Sequence, residues 1–206
     1  MAARRYEQVL RAETAERTRR RILAAVGQRL REGPAEQPSL EQVARLARVS
    51  RSTVYAGFGS RAGLFDAFVI DLWERTGLSE LSRAVASGGA REHLREGIAA
   101  ASRMKARDLA IYRVLHAMDR LGPESAGGAV RHMERDRRAG VESLAARLEA
   151  EGLLREDLTA GQAADALWVL TSFESLDLLI TGRGRTVDEA IETLVTTAER
   201  AVLHTR

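Results

Sequence analysis

The chain has 206 residues, 45% of them apolar and 30% charged, enough to bury one large core or to divide into a small domain and a larger one. It contains no cysteine, which excludes disulfides, thiolate metal sites and thiol catalysis. The net charge of +3 hides an asymmetry: residues 1–61 hold 13 arginines against six acids, whereas residues 62–206 hold 23 acids against 19 basic residues. That split predicts a basic N-terminal module that meets a polyanion, joined to a body that does not. Arginine abundance alone would load both halves and would not remove acids from one; Lys105 is the only lysine.

The N-terminal stretch MAARRYEQVLRAETAERTRRR has no apolar run of the kind a secretory leader carries, and no segment approaches membrane-spanning length. The expectation is a cytoplasmic protein with no membrane partner. Periodicity is helical almost throughout and alternating strand-type runs are lacking, so the fold class is all-α, with about nine helices. Residues 1–12 read as an N-terminal extension. From Glu13 to Glu32 a stripe of Ile22, Leu23, Val26 and Leu30 marks the first helix, stopped by Gly33-Pro34. Ser39 with Gln42 forms a capping box for a second helix, whose inner face is Leu40, Val43, Ala44 and Ala47. Ser50 can cap a short third helix carrying Val54, Tyr55 and Phe58. A longer helix runs from Arg61 through Leu64, Phe65, Phe68, Leu72 and Trp73 and fades at Ser87–Ala90.

Beyond that loop come helical segments over Glu92–Ala106 and Asp108–Leu121. GPESAGG then breaks the pattern, and a long charged helix runs to about Glu151, ended by Gly152. Thr159 with Gln162 and Thr186 with Glu189 are two further capping boxes. Each opens an apolar helix, and TGRGR separates the two.

Gly57, Gly59 and Ala62 fit the G-x-G-x-x-G/A pattern that elsewhere cradles a dinucleotide pyrophosphate. That use needs a buried strand before the first glycine and an acid ending a second strand about 20 residues on. Two short helices precede this one, and the candidate acids Asp66, Asp71, Glu74 and Glu80 lie in a helical pattern. The glycines read as a turn, and no cofactor is expected. Two short helices joined by a tight turn in a basic setting describe a helix-turn-helix, whose second helix enters the major groove. Ser50, Arg51, Ser52 and Thr53 crowd hydrogen-bonding groups at the start of that helix, and Arg51 can fork onto guanine. Ser50 reads equally well as a plain cap.

Ser39 to Phe68, SLEQVARLARVSRSTVYAGFGSRAGLFDAF, resembles the N-terminal signature of the tetracycline-repressor (TetR) family of transcriptional regulators. The matching features are Ser39 at the start of helix two, the turn Ala47-Arg48-Val49-Ser50, Thr53-Val54-Tyr55, then Phe58, Arg61 and Leu64. With helix one, the match covers about a quarter of the chain. The resemblance implies a three-helix DNA-binding domain over 13–60 and a helical ligand-binding and dimerisation domain over 61–206. It implies that Ser39, Thr53, Tyr55 and Arg61 contact phosphates, Arg51 and Ser52 read bases, and Thr18 and Arg19 touch the flanking backbone. Arg48 and Ser50 complete the DNA-facing set. Three positions depart from the family pattern: Arg48 stands where a glycine is usual, Gly57 where a larger residue is common, and Arg61 where lysine is common.

From Ala163 to Ile180 apolar residues occupy every face, Leu167, Trp168 and Leu178 among them, and the last helix carries Ile191, Leu194, Val195, Ala198 and Val202. By resemblance these two helices form a four-helix interface in a homodimer; periodicity alone leaves an ordinary intrachain core open. Met104, Tyr112, His116 and Trp168 are candidates for a pocket that holds a small-molecule effector, although buried aromatics are more often ordinary core. His93, His116, His132 and His204 have no metal-ligand spacing and no nucleophile elbow is present, so no catalytic or metal site is expected. Glu134 and Asp136, beside Arg131, Arg135, Arg137 and Arg138, read as a solvated helix face. The sequence therefore points to a dimeric repressor that binds a palindromic double-stranded DNA operator and is released by a ligand. An all-helical enzyme with an accessory helix-turn-helix and a DNA-binding dimer without a ligand are the alternatives.

Overall fold

The computed structural model describes residues 2–32, 38–86, 88–122 and 128–204. The Gly33-Pro34 stop, Ser87 and most of the GPESAGG break lie outside them. Among the described residues there are eleven α-helices and one π-helical turn, joined by short loops, and a single isolated bridge between Leu154 and Leu203. The chain divides into two compact units, Met1–Asp71 with Val114–Val130, and Leu72–Arg113 with Arg131–Arg206.

The first unit is built on α1, Ala2–Glu32. It starts well before the expected Glu13, because Ala, Arg, Glu, Gln and Leu are good helix formers and nothing in residues 2–12 breaks the run. Its inward stripe, Ile22, Leu23, Val26 and Leu30, is buried as the periodicity requires. α2, Leu40–Leu46, buries Val43 and Ala44, and α3, Arg51–Phe58, buries Val54 alone. α4, Arg61–Thr76, brings Leu64, Phe65, Phe68 and Val69 into the same unit, with the Phe68 ring edge against the backbone at Gly27. The compact unit therefore reaches Asp71, past the Ser60 boundary drawn from sequence. It also takes in Val114, Leu115 and Met118 from α7, Leu109–Leu121, and the start of α8, Ala129–Ala150. There the Asp66 carboxylate accepts the Ala129 N–H at 2.7 Å, serving as an N-terminal cap contributed by another helix.

Gly77, at φ 123°, ends α4 and separates it from α5, Leu78–Ala86, where the sequence reads as one helix. The second unit continues with α6, Ala90–Ala106, whose first N–H is taken by the Glu151 carboxylate at 3.0 and 3.1 Å. The apolar stretch 163–180 is also broken. α9, Ala160–Leu170, ends at Thr171, and Ser172 caps α10, Phe173–Asp177, which passes into a π-helical turn over Leu178–Gly182. α11, Val187–Val202, closes the unit.

All three capping boxes form: Gln42 N–H to Ser39 Oγ at 3.1 Å, Gln162 N–H to Thr159 Oγ1 at 3.2 Å and Glu189 N–H to Thr186 Oγ1 at 3.2 Å, each with its return bond. Each such cap stabilises its helix by about 1 kcal/mol.

Candidate nucleic-acid interface

The turn between α2 and α3 sets the interface. Helix α2 ends in a Schellman arrangement: Val49 N–H donates to the Ala44 carbonyl at 3.0 Å, and Arg48 N–H to the Arg45 carbonyl at 3.2 Å. This geometry puts Arg48 in the left-handed region at φ 52°, and it is the only non-glycine with positive φ among the described residues. For an L-residue that conformation costs about 1–2 kcal/mol. Arg21 of α1 braces the turn. Its Nη2 donates to the carbonyls of Ala47 at 2.7 Å and Arg48 at 3.2 Å, and its Nε donates to Ala47 at 3.2 Å. The guanidinium thus takes two carbonyls that the helix end leaves without an intrahelical partner.

Ser50 then caps α3, accepting the Thr53 N–H at 3.0 Å; its hydroxyl also lies 2.7 Å from both Ser52 Oγ and Thr53 Oγ1. Both readings of Ser50 therefore meet in one residue, a cap whose hydroxyl belongs to an exposed polar cluster. Val54 is fully buried, and this anchor leaves Arg51, Ser52, Thr53, Tyr55 and Ala56 exposed. Tyr55 is 60% exposed, which is unusual for an aromatic side chain with no pocket of its own. No acid lies on α3, so its positive N-terminal end is unopposed. The helix closes at Gly59, φ 72°, whose N–H donates to the Tyr55 carbonyl at 2.7 Å. A side chain at Gly63 would run into the Phe58 carbonyl oxygen. The glycine motif therefore ends a helix, and among the described residues no strand precedes it.

The flanking candidates lie in the same unit. Arg19 sets its guanidinium 5.0 Å from the centre of the Phe58 ring, and half-buried Arg61 stands 5.7 Å from that of Phe65. Cation–π contact aims each charge without neutralising it. Thr18 is half-buried, and Ser39 is exposed with its hydroxyl engaged in the α2 cap.

The effector candidates are divided between the two compact units. Met104, Tyr112 and Trp168 belong to the second unit, and His116 to the first. Tyr112 is buried, stacked on Phe173 at 6.2 Å between centroids, with its hydroxyl 3.4 Å from Thr76 Oγ1. Burial pushes its pKa up to about 12. Met104 is buried and Trp168 half-buried. Sequence reasoning missed Lys105, whose ammonium is buried and donates to the Thr171 carbonyl at the end of α9 at 2.7 Å. Burial, with Arg137 nearby, lowers its pKa to about 8. Arg137 is also not a solvated side chain. It covers the Trp168 ring at 3.4 Å, donates to the Trp168 carbonyl at 2.7 Å and pairs with Glu134 at 2.6 Å. Two cations therefore close the C-terminal end of α9, where the helix dipole favours them. The signal was present: a lone lysine among 31 arginines suggests a position where the smaller cation matters.

The residues of the expected dimer set differ in burial. Leu167, Ile191, Leu194, Val195, Ala198 and Val202 are all buried within one protomer, packed with Leu94, Ile98, Leu144 and Leu148. Leu178 alone of the seven is open, at 67%, and Val169 on α9, at 61%, is the other large apolar side chain exposed near it in sequence. Among the described residues no helix is long and apolar enough to cross a membrane, and no group of three histidines and acids could hold a metal.

No family model matches the chain, and neither does any curated protein. Solved structures do. NalD of Pseudomonas aeruginosa, the secondary repressor of the MexAB-OprM multidrug efflux pump, is 27% identical, with a TM-score of 0.73 over 94% of this chain and 100% of NalD. A TetR-family regulator from a Rhodococcus species is 18% identical, with a TM-score of 0.72 over 90% of this chain and 98% of that one. The ketosteroid transcriptional regulator KstR2 of Mycobacterium tuberculosis is 14% identical, with a TM-score of 0.66 over 91% of this chain and 95% of that one. The last two show likeness of fold. With the signature on α2 and α3, and with NalD matched along its whole length, the chain resembles the tetracycline-repressor family of transcriptional regulators and shares its all-helical fold.

Proposed function

We propose that the protein is a dimeric repressor that binds a palindromic operator and releases it when a small molecule enters the second unit. The observation that carries the reading is α3: eight residues with one buried anchor, no acid and an outward face of Arg51, Ser52, Thr53 and Tyr55. Arg51 and Ser52 read bases, while Thr53, Tyr55, Arg61, Thr18 and Arg19 fix the register on phosphates. One such helix reads too few base pairs for a useful specificity ratio, so two heads are held about 34–36 Å apart by a partner copy. The exposed pair Val169 and Leu178 supports a dimer contact on the α9 face and the π-helical turn. NalD, described as a repressor, supports the sign of regulation. The effector enters beside Met104, Lys105, Tyr112 and Trp168, where the second unit holds its buried polar groups. Selection of duplexes from a random pool tests the reading: the purified chain should enrich an inverted repeat and bind it as a dimer. Enrichment of nothing, or of sites without symmetry, would refute it.

A further inference from the structure

Helix α6 carries a buried stripe that changes character along its length. Ala90, Leu94 and Ile98 are apolar, and the next positions on the same face, Ser102 and Lys105, are polar and equally buried. Lys105 is 5% exposed, and its ammonium makes one hydrogen bond, to the Thr171 carbonyl at 2.7 Å. Its other two N–H groups have no acceptor among the described residues. Taking an ammonium out of water costs far more than one bond to a neutral carbonyl returns, and an apolar side chain would be the more stabilising occupant. Closing the end of α9 explains only one of the three N–H groups. Arg137 already donates there, to the Trp168 carbonyl at 2.7 Å and to Thr171 Oγ1 at 3.0 Å.

The surroundings specify what the remaining N–H groups would hold. Lys105 and Arg137 bring two cations to the end of α9, and Glu134 is engaged by Arg137, accepting from its Nη2 at 2.6 Å and its Nε at 3.1 Å. Burial first, and Arg137 next, lower the pKa of Lys105 to about 8, and Glu134 and Glu174 each pull the other way more weakly. A further anion would relieve both effects, whereas a cation would add to the repulsion. The neighbourhood is otherwise apolar: Met104 precedes Lys105 and is buried, and Phe173, two residues past Thr171, stacks on Tyr112. One anionic group on an apolar body suits such a lining. A carboxylate, with two oxygens, accepts both N–H groups.

We infer that Lys105 anchors a carboxylate, so that the effector is an acid on an apolar body and neither an amine nor a neutral compound. The inference rests on the effector reading above. Because the same ammonium holds the end of α9, an acid bound there acts on the helix that also carries exposed Val169.

The test compares matched probes on the full chain: decyl and naphthyl frameworks, each as carboxylate, alcohol and amine, at concentrations where none aggregates. Calorimetric titration at pH 7 should find at least one carboxylate bound about tenfold more tightly than the alcohol and the amine of its framework. That carboxylate should also release a duplex that the parent has selected from a random pool. Lys105→Met should bring its affinity within about twofold of the alcohol's. A second measurement needs no variant. An ammonium held by a carboxylate keeps its proton, so titration of the parent at pH 8, in buffers of different ionisation enthalpy, should show uptake of about half a proton per acid bound. The absence of a carboxylate preference on both frameworks overturns the inference. So does a preference that Lys105→Met retains or, where that variant does not fold, binding by the parent without proton uptake. A carboxylate that binds through Lys105 and leaves the duplex in place keeps the acid site and refutes the effector reading instead.

Discussion

Replacing Arg48 by glycine should make the protein more stable and a poorer DNA binder. Arg48 occupies the position after α2 where the chain turns left-handed, at φ 52°. Relief of the Cβ clash is worth about 1–2 kcal/mol, and the extra freedom of glycine in the unfolded chain returns about 0.4–1 kcal/mol. The bonds that shape the turn all run to main-chain atoms: Val49 N–H to Ala44, Arg48 N–H to Arg45, and Arg21 to the Arg48 carbonyl. They survive the substitution, and the Arg48 side chain is exposed, so little packing is lost. The net gain is roughly 0.5–1 kcal/mol, or about 1–4 °C for a chain of this size. Thermal unfolding by circular dichroism measures it. Fluorescence anisotropy against salt then measures the DNA term, where losing one cation at the surface should lower the slope by about 1. An Arg48→Gly protein less stable than its parent would show that the Arg48 side chain contributes more than its backbone strain costs. The account of the turn would then be wrong.

Two substitutions separate core from interface. Ile191→Arg places a charge in the buried face of α11 and should destabilise by more than about 4 kcal/mol, visible as lost helical signal. Leu178→Arg, on an open side chain, should change stability by less than about 0.5 kcal/mol yet yield a monomer by sedimentation. A dimer that survives it would move the interface elsewhere. Tyr55→Ala should weaken binding to all sequences about equally, whereas Arg51→Ala should relax discrimination at one base pair by about 1–3 kcal/mol in competition binding. Lys105 gives a pH signature. Its folded pKa of about 8 lies below the ordinary 10.5, so the folded state binds fewer protons than the unfolded chain between those values. Unfolding free energy from this group should therefore rise as pH climbs from about 8 to 10, by at most about 3 kcal/mol over the full range. Tyr112 acts in the opposite sense from pH 10 to 12, because its folded pKa is raised and the folded chain keeps the proton longer. Denaturation of Lys105→Met across pH 8–10 should show a flatter profile than the parent; an identical profile would remove Lys105 from the account.

What the sequence disclosed was mostly local. The capping boxes at Ser39, Thr159 and Thr186 were legible because a side chain and a backbone N–H three residues apart decide them. The short third helix was legible because Ser50 caps it and a tight turn joins it to the second in a basic setting. The early start of α1 was hidden, since residues 2–12 have no apolar stripe to reveal a helix. The breaks at Gly77 and Thr171 were hidden because an apolar pattern continues through both. Nor could periodicity say whose core α11 enters: its stripe packs with α6, α8 and α9 of its own chain. Lys105 was overlooked because burial of a cation is a property of three-dimensional surroundings, and its neighbours in sequence are unremarkable.

That same lysine gives the molecule a built-in clock. Apart from the chain's α-amino group, Lys105 carries the only aliphatic amine, and its Nζ is held against Thr171 out of contact with solvent. An acylating reagent that ignores guanidinium groups can reach it only when the region around the end of α9 opens. The rate of label uptake at this one site then reports the free energy of that opening. Followed with and without operator DNA, and against a series of small molecules, it would register which compounds hold the second unit shut. The arginine-rich composition leaves only the α-amino group to separate from that signal, which peptide mapping does.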